Sequence, residues 1–509
     1  MVTIVVLLIL AGITISLVFS ENGIIAKARE AAEKTNQAVI NEQAQMNELA
    51  GYMENMLNGI GGSGTTPEEP ANDGNYSETK GVNTPKLTAE MEPIKYDAEN
   101  SRWVKAERTS NDWYNYSAGE WANVVIGGEF DGSGVLNESA DGYSMFVWIP
   151  RYAYSITSGY HQSGPNSTSV TSEDGAGTID VVFLKGTSDE IGSSAEAAGK
   201  SIVSYSEASA NGVSTHKFEE GKYVVHPAFV GDASLGGGYG NNSGASDNGI
   251  SGIWVAKFEA SQNGSEIQVK PGVSSWISIT VDSIYTNCLN YDSTTLGNAN
   301  LNSHMMKNSE WGAVAYLSRS EYGRTDEVWI NNSRSYITGS AGNSVSASSN
   351  TGTDTNYKSE QGVHASTTNN VYGIYDMSGG AWEYVAAYVD NKNPSLTSYG
   401  NSLYTSTDAK TKNVYTAGNE DTRLSHYNAN TSKYGDAIYE TSSGTYNSSG
   451  DSKQQSWFDD YSNFPCSSYP FFSRGGYYNN TSSAGLFCFY YNGGGGYSNY
   501  SFRPVLVAI

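Results

Sequence analysis

The chain has 509 residues, enough for about two or three ordinary domains or for one domain swollen by insertions. Acidic residues outnumber basic ones 53 to 29, and the formal net charge of −24 repels phosphate backbones and anionic headgroups, which argues against nucleic acid as a partner. The 56 Gly, 37 Tyr and long Ser/Thr/Asn stretches fit an extracellular, loop-rich β-protein rather than a disordered chain, while Cys288, Cys466 and Cys488 close at most one disulfide.

Residues 1–20, MVTIVVLLILAGITISLVFS, carry no charge. About 20 such residues, rising about 1.5 Å each, cross a hydrocarbon core of about 30 Å. A basic leader and a small-residue cleavage site are missing, so the segment reads as a retained membrane or pilin-core helix. Residues 21–57 continue as an amphipathic stalk: Ile25, Ala28, Ala32, Thr35, Val39, Met46, Leu49, Met53 and Met56 recur at three- and four-residue steps, interrupted only by Glu42. Residues 58–84, rich in Gly, Pro and acidic side chains, read as a flexible linker.

Beyond the linker, β-branched and aromatic runs alternate with turn clusters. They predict strands at 101–105, 145–149, 179–184, 223–226, 253–258 and 275–281, with 85–140 as an N-terminal β extension. One helix is expected over 309–318, capped by Ser309 and apolar through Trp311, Val314, Ala315 and Leu317. Stretches 155–175, 231–249, 336–360 and 440–455 read as long surface loops. The expected class is β-rich α+β.

From Phe458 to Phe502 nearly every residue is Tyr, Phe, Ser, Asn, Gly or Cys, and Lys, Glu, Gln and Met do not occur. Tyrosine offers broad contact area with few rotors to freeze, and small polar residues adapt their hydrogen bonds, as in antibody paratopes. A regular framework is interleaved with them, so a ligand-binding face over 457–503 is the expectation in preference to a plain low-complexity loop.

Three resemblances sharpen this. VTIVVLLILAGITISLVFSENGIIAKAREAAEKT resembles the N-terminus of type IV pilin-like proteins of Gram-positive bacteria, although their usual leader features are absent. NVYGIYDMSGGAWEYVA (370–386) and FFSRGGYYNN…SFRPVLV (471–507) resemble the formylglycine-generating-enzyme branch of the C-type lectin fold, with Gly380 standing where that family commonly has Asn. This implies a C-type-lectin-like domain over 85–509, with Trp382, Glu383, Arg474, Gly475, Gly476, Phe502 and Arg503 as scaffold and a buried ionic hydrogen bond from Glu383 or Arg474. The family's enzymes place two copper-binding cysteines after their Arg-Gly-Gly; here Asn480 and Gly485 fall at those positions, so a binding protein is expected rather than an enzyme.

The residue set also looks like that of the variable proteins of diversity-generating retroelements, in which Asn codons are rewritten at their adenines. Carried over by position, that resemblance implies variable ligand-contacting residues at Asn463, Cys466, Phe471, Ser473, Tyr477, Tyr478, Asn479, Asn480, Cys488, Tyr490, Tyr491, Asn492, Tyr497, Asn499 and Tyr500. The implied partner is a protein or glycan on another cell or phage, with membrane or pilus subunits meeting residues 1–57, at the cell envelope. No cofactor is expected. Asn290–Ser293 and Ser246–Gly249 are weak candidates for calcium and lack the spacing of a calcium loop. The competing readings are a constant pilin or adhesin subunit and a formylglycine-generating-type enzyme.

Overall fold

β-branched and aromatic runs form the strands of a computed structural model that describes residues 72–159, 176–209, 216–239, 249–294, 301–350, 352–443 and 454–508. The expected apolar helix, stalk and first part of the linker lie outside the described residues, as does Ser246–Asn248 of the second calcium candidate. Among the described residues, no helix is long and apolar enough to cross a membrane.

Residues 72–84 depart from the linker expectation. Tyr76–Ser77 pairs with Val82–Asn83, and the fully buried Asn83 donates from Nδ2 to the carbonyls of Gly186 and Ser251 at 3.0 Å each. Composition reads as linker here because polar side chains, rather than an apolar period, tie the segment down.

A seven-stranded sheet runs in the order Leu301–Met305, Pro504–Ala508, Gly252–Ala256, Ser144–Pro150, Asn123–Ile126, Met91–Asp97, Arg102–Lys105. The central strands SMFVWIP and GIWVA are buried along their whole length, and Trp148 faces Trp254 across them with ring centroids 5.1 Å apart. The 85–140 segment supplies three strands of this sheet and the buried Trp103, Trp113 and Trp121.

Five of the six expected strands fall close to their predicted places. The one expected at 275–281 does not form: the helix Val281–Thr294 begins at its end. Val281, Ile284, Tyr285, Cys288 and Tyr291 recur every three or four residues and are buried, a helical period hidden among polar neighbours. Asn290–Ser293 is therefore helical, not a loop that wraps an ion. The helix Asn308–Arg319 starts one residue before the expected Ser309; the Lys307 amide donates to Glu310 Oε2 at 2.9 Å, while Ser309 Oγ donates to the Gly236 carbonyl at 2.8 Å.

A second large sheet places Trp382–Val389 between Asn413–Tyr415 and Phe471–Gly475, followed by Gly485–Asn492 and Tyr461–Ser462; Tyr500–Phe502 also pairs with Trp382–Val389, in parallel. The chain leaves this sheet at Phe502 and enters the first at Pro504. Arg503, between them, is fully buried. Its guanidinium reaches both Glu383 oxygens (3.1 and 2.7 Å) and donates to the Ala256 and Tyr375 carbonyls at 2.7 and 2.9 Å. The expected ionic bond thus belongs to Glu383 and Arg503. Arg474 instead donates to the carbonyls of Asp436 and Ala437, at 3.2 and 3.1 Å.

A four-stranded sheet built on Tyr152–Ile156 meets the core at Glu440, a fully buried carboxylate. Hydroxyls of Tyr154, Tyr316 and Tyr205 donate to it at 2.9, 2.8 and 3.1 Å. Burial outweighs these bonds and pushes the Glu440 carboxyl from 4.5 up to about 7.

Two outcomes follow. Arg503→Leu leaves the Glu383 carboxylate buried without its cation and costs about 3–5 kcal/mol of unfolding free energy in urea titrations; a loss below about 1 kcal/mol means the pair does not hold the sheets. Because the folded chain binds the Glu440 proton more tightly than the unfolded one, this group's stabilisation is complete below pH 4.5 and lost as pH rises through about 7. Glu440→Gln therefore makes stability fall less steeply over that interval. Asp460, raised by burial from 3.8 to about 7, keeps the residual slope.

Candidate ligand-binding face

The face is assembled on the strands Trp382–Val389, Phe471–Gly475 and Gly485–Asn492. Antiparallel register aligns Tyr384 with Ser473 and Ser473 with Tyr490 in one row, and Glu383 with Arg474 and Phe489 in the next. Alternation sends the second row into the core, where Arg474 sits with its guanidinium 5.5 Å from the Trp311 ring centroid. Desolvation there lowers the Arg474 guanidinium to about 10.

The aromatic stack starts from Tyr490 in the first row. The Trp382 ring stacks with Tyr490 (5.2 Å, 25°) and with Tyr500 (6.2 Å, 17°). Tyr490 continues onto Tyr491 at 4.3 Å, and Tyr491 onto Tyr469 at 5.2 Å. Tyr461 meets Tyr490 at 5.1 Å. Offset contacts of this kind add about 0.5–1.5 kcal/mol each beyond area burial. They hold the rings in fixed positions relative to one another.

The turn after Arg474 needs two left-handed residues, and Gly475 and Gly476 supply them at φ 80° and 78°. A Cβ on Gly476 would lie 2.7 Å from Ala484. Asn480 closes the turn by accepting the Tyr477 amide at 2.9 Å, and the Tyr478 amide donates to the Gly380 carbonyl at 2.9 Å. The Tyr478 ring meets both Tyr477 and Tyr336 edge-on. Gly380 itself has φ 65°, and a Cβ there would lie 2.4 Å from Glu259 Oε1, which accounts for glycine at this position. Gly485 is equally constrained: a Cβ would fall 2.2 Å from Asp460 Oδ1, so the buried Asp460 carboxylate already fills that space.

The fifteen expected contact residues divide in two. Asn479 and Tyr497 are exposed, and Cys466, Tyr477, Tyr478, Asn480, Tyr490, Tyr491, Asn492 and Asn499 are half-buried. Asn463, Phe471, Ser473, Cys488 and Tyr500 are buried, so the expectation of a surface position does not hold for these five. Ser473 is covered by its row neighbours, and the Phe471 ring packs beneath Gly494 and Gly400. Cys488 lies in the core between Phe487 and Phe489, where burial pushes its thiol well up. Burial of Tyr500 against Trp382 and Tyr384 raises its hydroxyl to about 12. All seven expected scaffold residues, Trp382, Glu383, Arg474, Gly475, Gly476, Phe502 and Arg503, are buried.

Sequence reasoning missed Tyr399, Tyr469 and Tyr461. Tyr399 and Tyr469 are each 43 % exposed. Tyr399 lies far upstream of the tyrosine-rich segment and meets it only through the fold: a Cβ on Gly494 would stand 3.2 Å from the Tyr399 Cβ. The hydroxyl of Tyr384 reaches Asn492 Oδ1 at 2.7 Å and the Gly495 carbonyl at 2.9 Å, which sets the Gly493–Gly496 run against the stack. No three His, Cys, Asp or Glu side chains converge to hold a metal among the described residues. No family model matches the chain, and no curated protein is significantly similar to it.

The division predicts two kinds of mutational effect in urea unfolding. Phe471→Ala empties a packed site and costs about 3–5 kcal/mol, whereas Tyr497→Ala, at an exposed ring, changes stability by no more than about 0.5 kcal/mol.

Proposed function

We propose that this protein is a ligand-binding protein displayed at the cell envelope, with residues 1–57 as membrane or pilus anchor and a C-type-lectin-like domain of the formylglycine-generating-enzyme branch holding a diversified aromatic face outward. The reading rests on one observation: partly exposed tyrosines, Tyr477, Tyr478, Tyr490, Tyr491 and Tyr497, are carried on a buried Trp/Gly/Arg framework. Rings held this way present area without losing much rotamer freedom on binding, and the neighbouring Asn side chains supply adaptable hydrogen bonds. Recognition of a protein or glycan, rather than turnover, is the function this composition supports. The crowding of Gly485 by Asp460 favours it over the oxidase chemistry of the resembling enzymes.

Retroelement diversification predicts where natural variation falls. Sequencing the locus across isolates is expected to concentrate substitutions at Cys466, Tyr477–Asn480, Tyr490–Asn492, Tyr497 and Asn499, within the residues reached by changing adenines in Asn codons. A reverse transcriptase gene and a near-copy of the segment are expected beside the gene; substitutions scattered evenly along the domain defeat the proposal. Replacing Tyr477, Tyr478, Tyr490 and Tyr491 together by Ala is expected to abolish retention on protein and glycan arrays while leaving the far-ultraviolet circular dichroism unchanged.

A further inference from the structure

We propose that the tyrosine patch around the Gly493–Gly496 run takes an arginine-bearing segment of a partner protein, with guanidinium groups laid on the rings. This deepens the binding reading above and rests on it.

Five large apolar side chains are exposed among the described residues, and three of them, Tyr399, Tyr469 and Tyr497 (43, 43 and 45 %), stand around this run. A Cβ on Gly493 would lie 3.6 Å from Tyr469 Cδ1 and 3.9 Å from the Tyr497 hydroxyl, and one on Gly494 would lie 3.2 Å from the Tyr399 Cβ. The run places no side chain between the rings: Gly493–Gly495 are buried, Gly496 is exposed, and Phe471 packs against Gly494. Exposed apolar side chains gathered in one place mark an interaction site far more often than singly scattered ones.

The ring chemistry chooses the partner. A guanidinium already lies on a ring next to the patch: the central carbon of Arg423 is 4.3 Å from the Tyr491 centroid, and Tyr491 stacks on Tyr469. Residues 458–502 contain no Lys and a single Arg, the fully buried Arg474, so this segment offers no exposed cation of its own to the rings. The chain's net charge of −24 draws cations toward it and repels acidic partners. Arginine suits such a surface better than lysine, because its planar, weakly hydrated guanidinium stacks on an aromatic face at smaller desolvation cost. A pyranose would also stack, but the acidic field does nothing to attract it.

The test compares three peptides of about twelve residues, Gly-Ser-Arg, Gly-Ser-Lys and Gly-Ser-citrulline repeats, flowed over the immobilised full chain at physiological salt. The arginine peptide is expected to bind at least about tenfold more tightly than the other two. Its binding should vanish in the Tyr399→Ala, Tyr469→Ala, Tyr497→Ala triple variant and persist within about threefold in the corresponding triple Phe variant. Equal binding of the arginine and lysine peptides, untouched by either triple variant, reduces the effect to bulk charge and overturns the proposal. Equal binding of the citrulline peptide overturns it as well, and this comparison needs no variant to fold. If the arginine peptide fails while glycan-array retention is present and lost on Ala substitution, the arginine class falls and the binding reading stands. Failure of both removes both.

Discussion

The bidentate pair between Arg503 and Glu383 is the constraint on which the two large sheets depend. Arg503 is the single residue between a strand of one sheet and a strand of the other, so its position sets how the chain crosses. Two fully buried charges are costly unless their remaining hydrogen-bond capacity is used. Here the guanidinium also takes the Ala256 carbonyl of the first sheet and the Tyr375 carbonyl of the loop before Trp382. The cross-strand neighbour of Glu383, Arg474, makes its hydrogen bonds to main-chain carbonyls instead, including Leu486 at 3.4 Å. The two arginines therefore divide the work: one joins the sheets, the other fixes the strand that bears Tyr490 and Tyr491.

That framework explains how a surface so poor in charge can be ordered. Aromatic side chains stack on each other from Tyr469 through Tyr491 and Tyr490 to Trp382 and Tyr500, with the last two buried. The buried end of the stack anchors the exposed end. Substitution at an exposed outer position disturbs stability less than substitution at the buried inner ones. Phe471, Ser473 and Cys488 lie on the wrong side of that boundary, where any change of volume is felt by the core.

Much of the β-rich architecture was legible in the chain. MFVWI and GIWVA read as buried strands because their apolar runs are continuous, and SEWGAVAYLS reads as a helix because its apolar positions follow a helical period. The Val281–Thr294 helix escaped notice because Asp, Thr and Asn separate its buried residues. Residues 72–84 looked like linker because the buried polar Asn83 and Thr84 and one buried aliphatic side chain, Val82, tie them down without any apolar period. At the candidate face, the tyrosine-rich composition and the Arg-Gly-Gly turn could be read directly. Which tyrosines are exposed could not, since strand alternation assigns faces only once register is known.

By itself, then, the amino-acid order marked out the residues of the buried frame but not which tyrosine-rich positions face outward, because glycine at positive φ and buried Trp and Arg carry their constraints in their chemistry. Only the tertiary structure decided that Glu383 pairs with Arg503 rather than Arg474, that five of the fifteen expected contacts are turned inward, and that Tyr399 joins the patch. Each of those outcomes depends on partners distant in the chain, and sequence spacing holds no information about which distant groups a crossing strand will bring together.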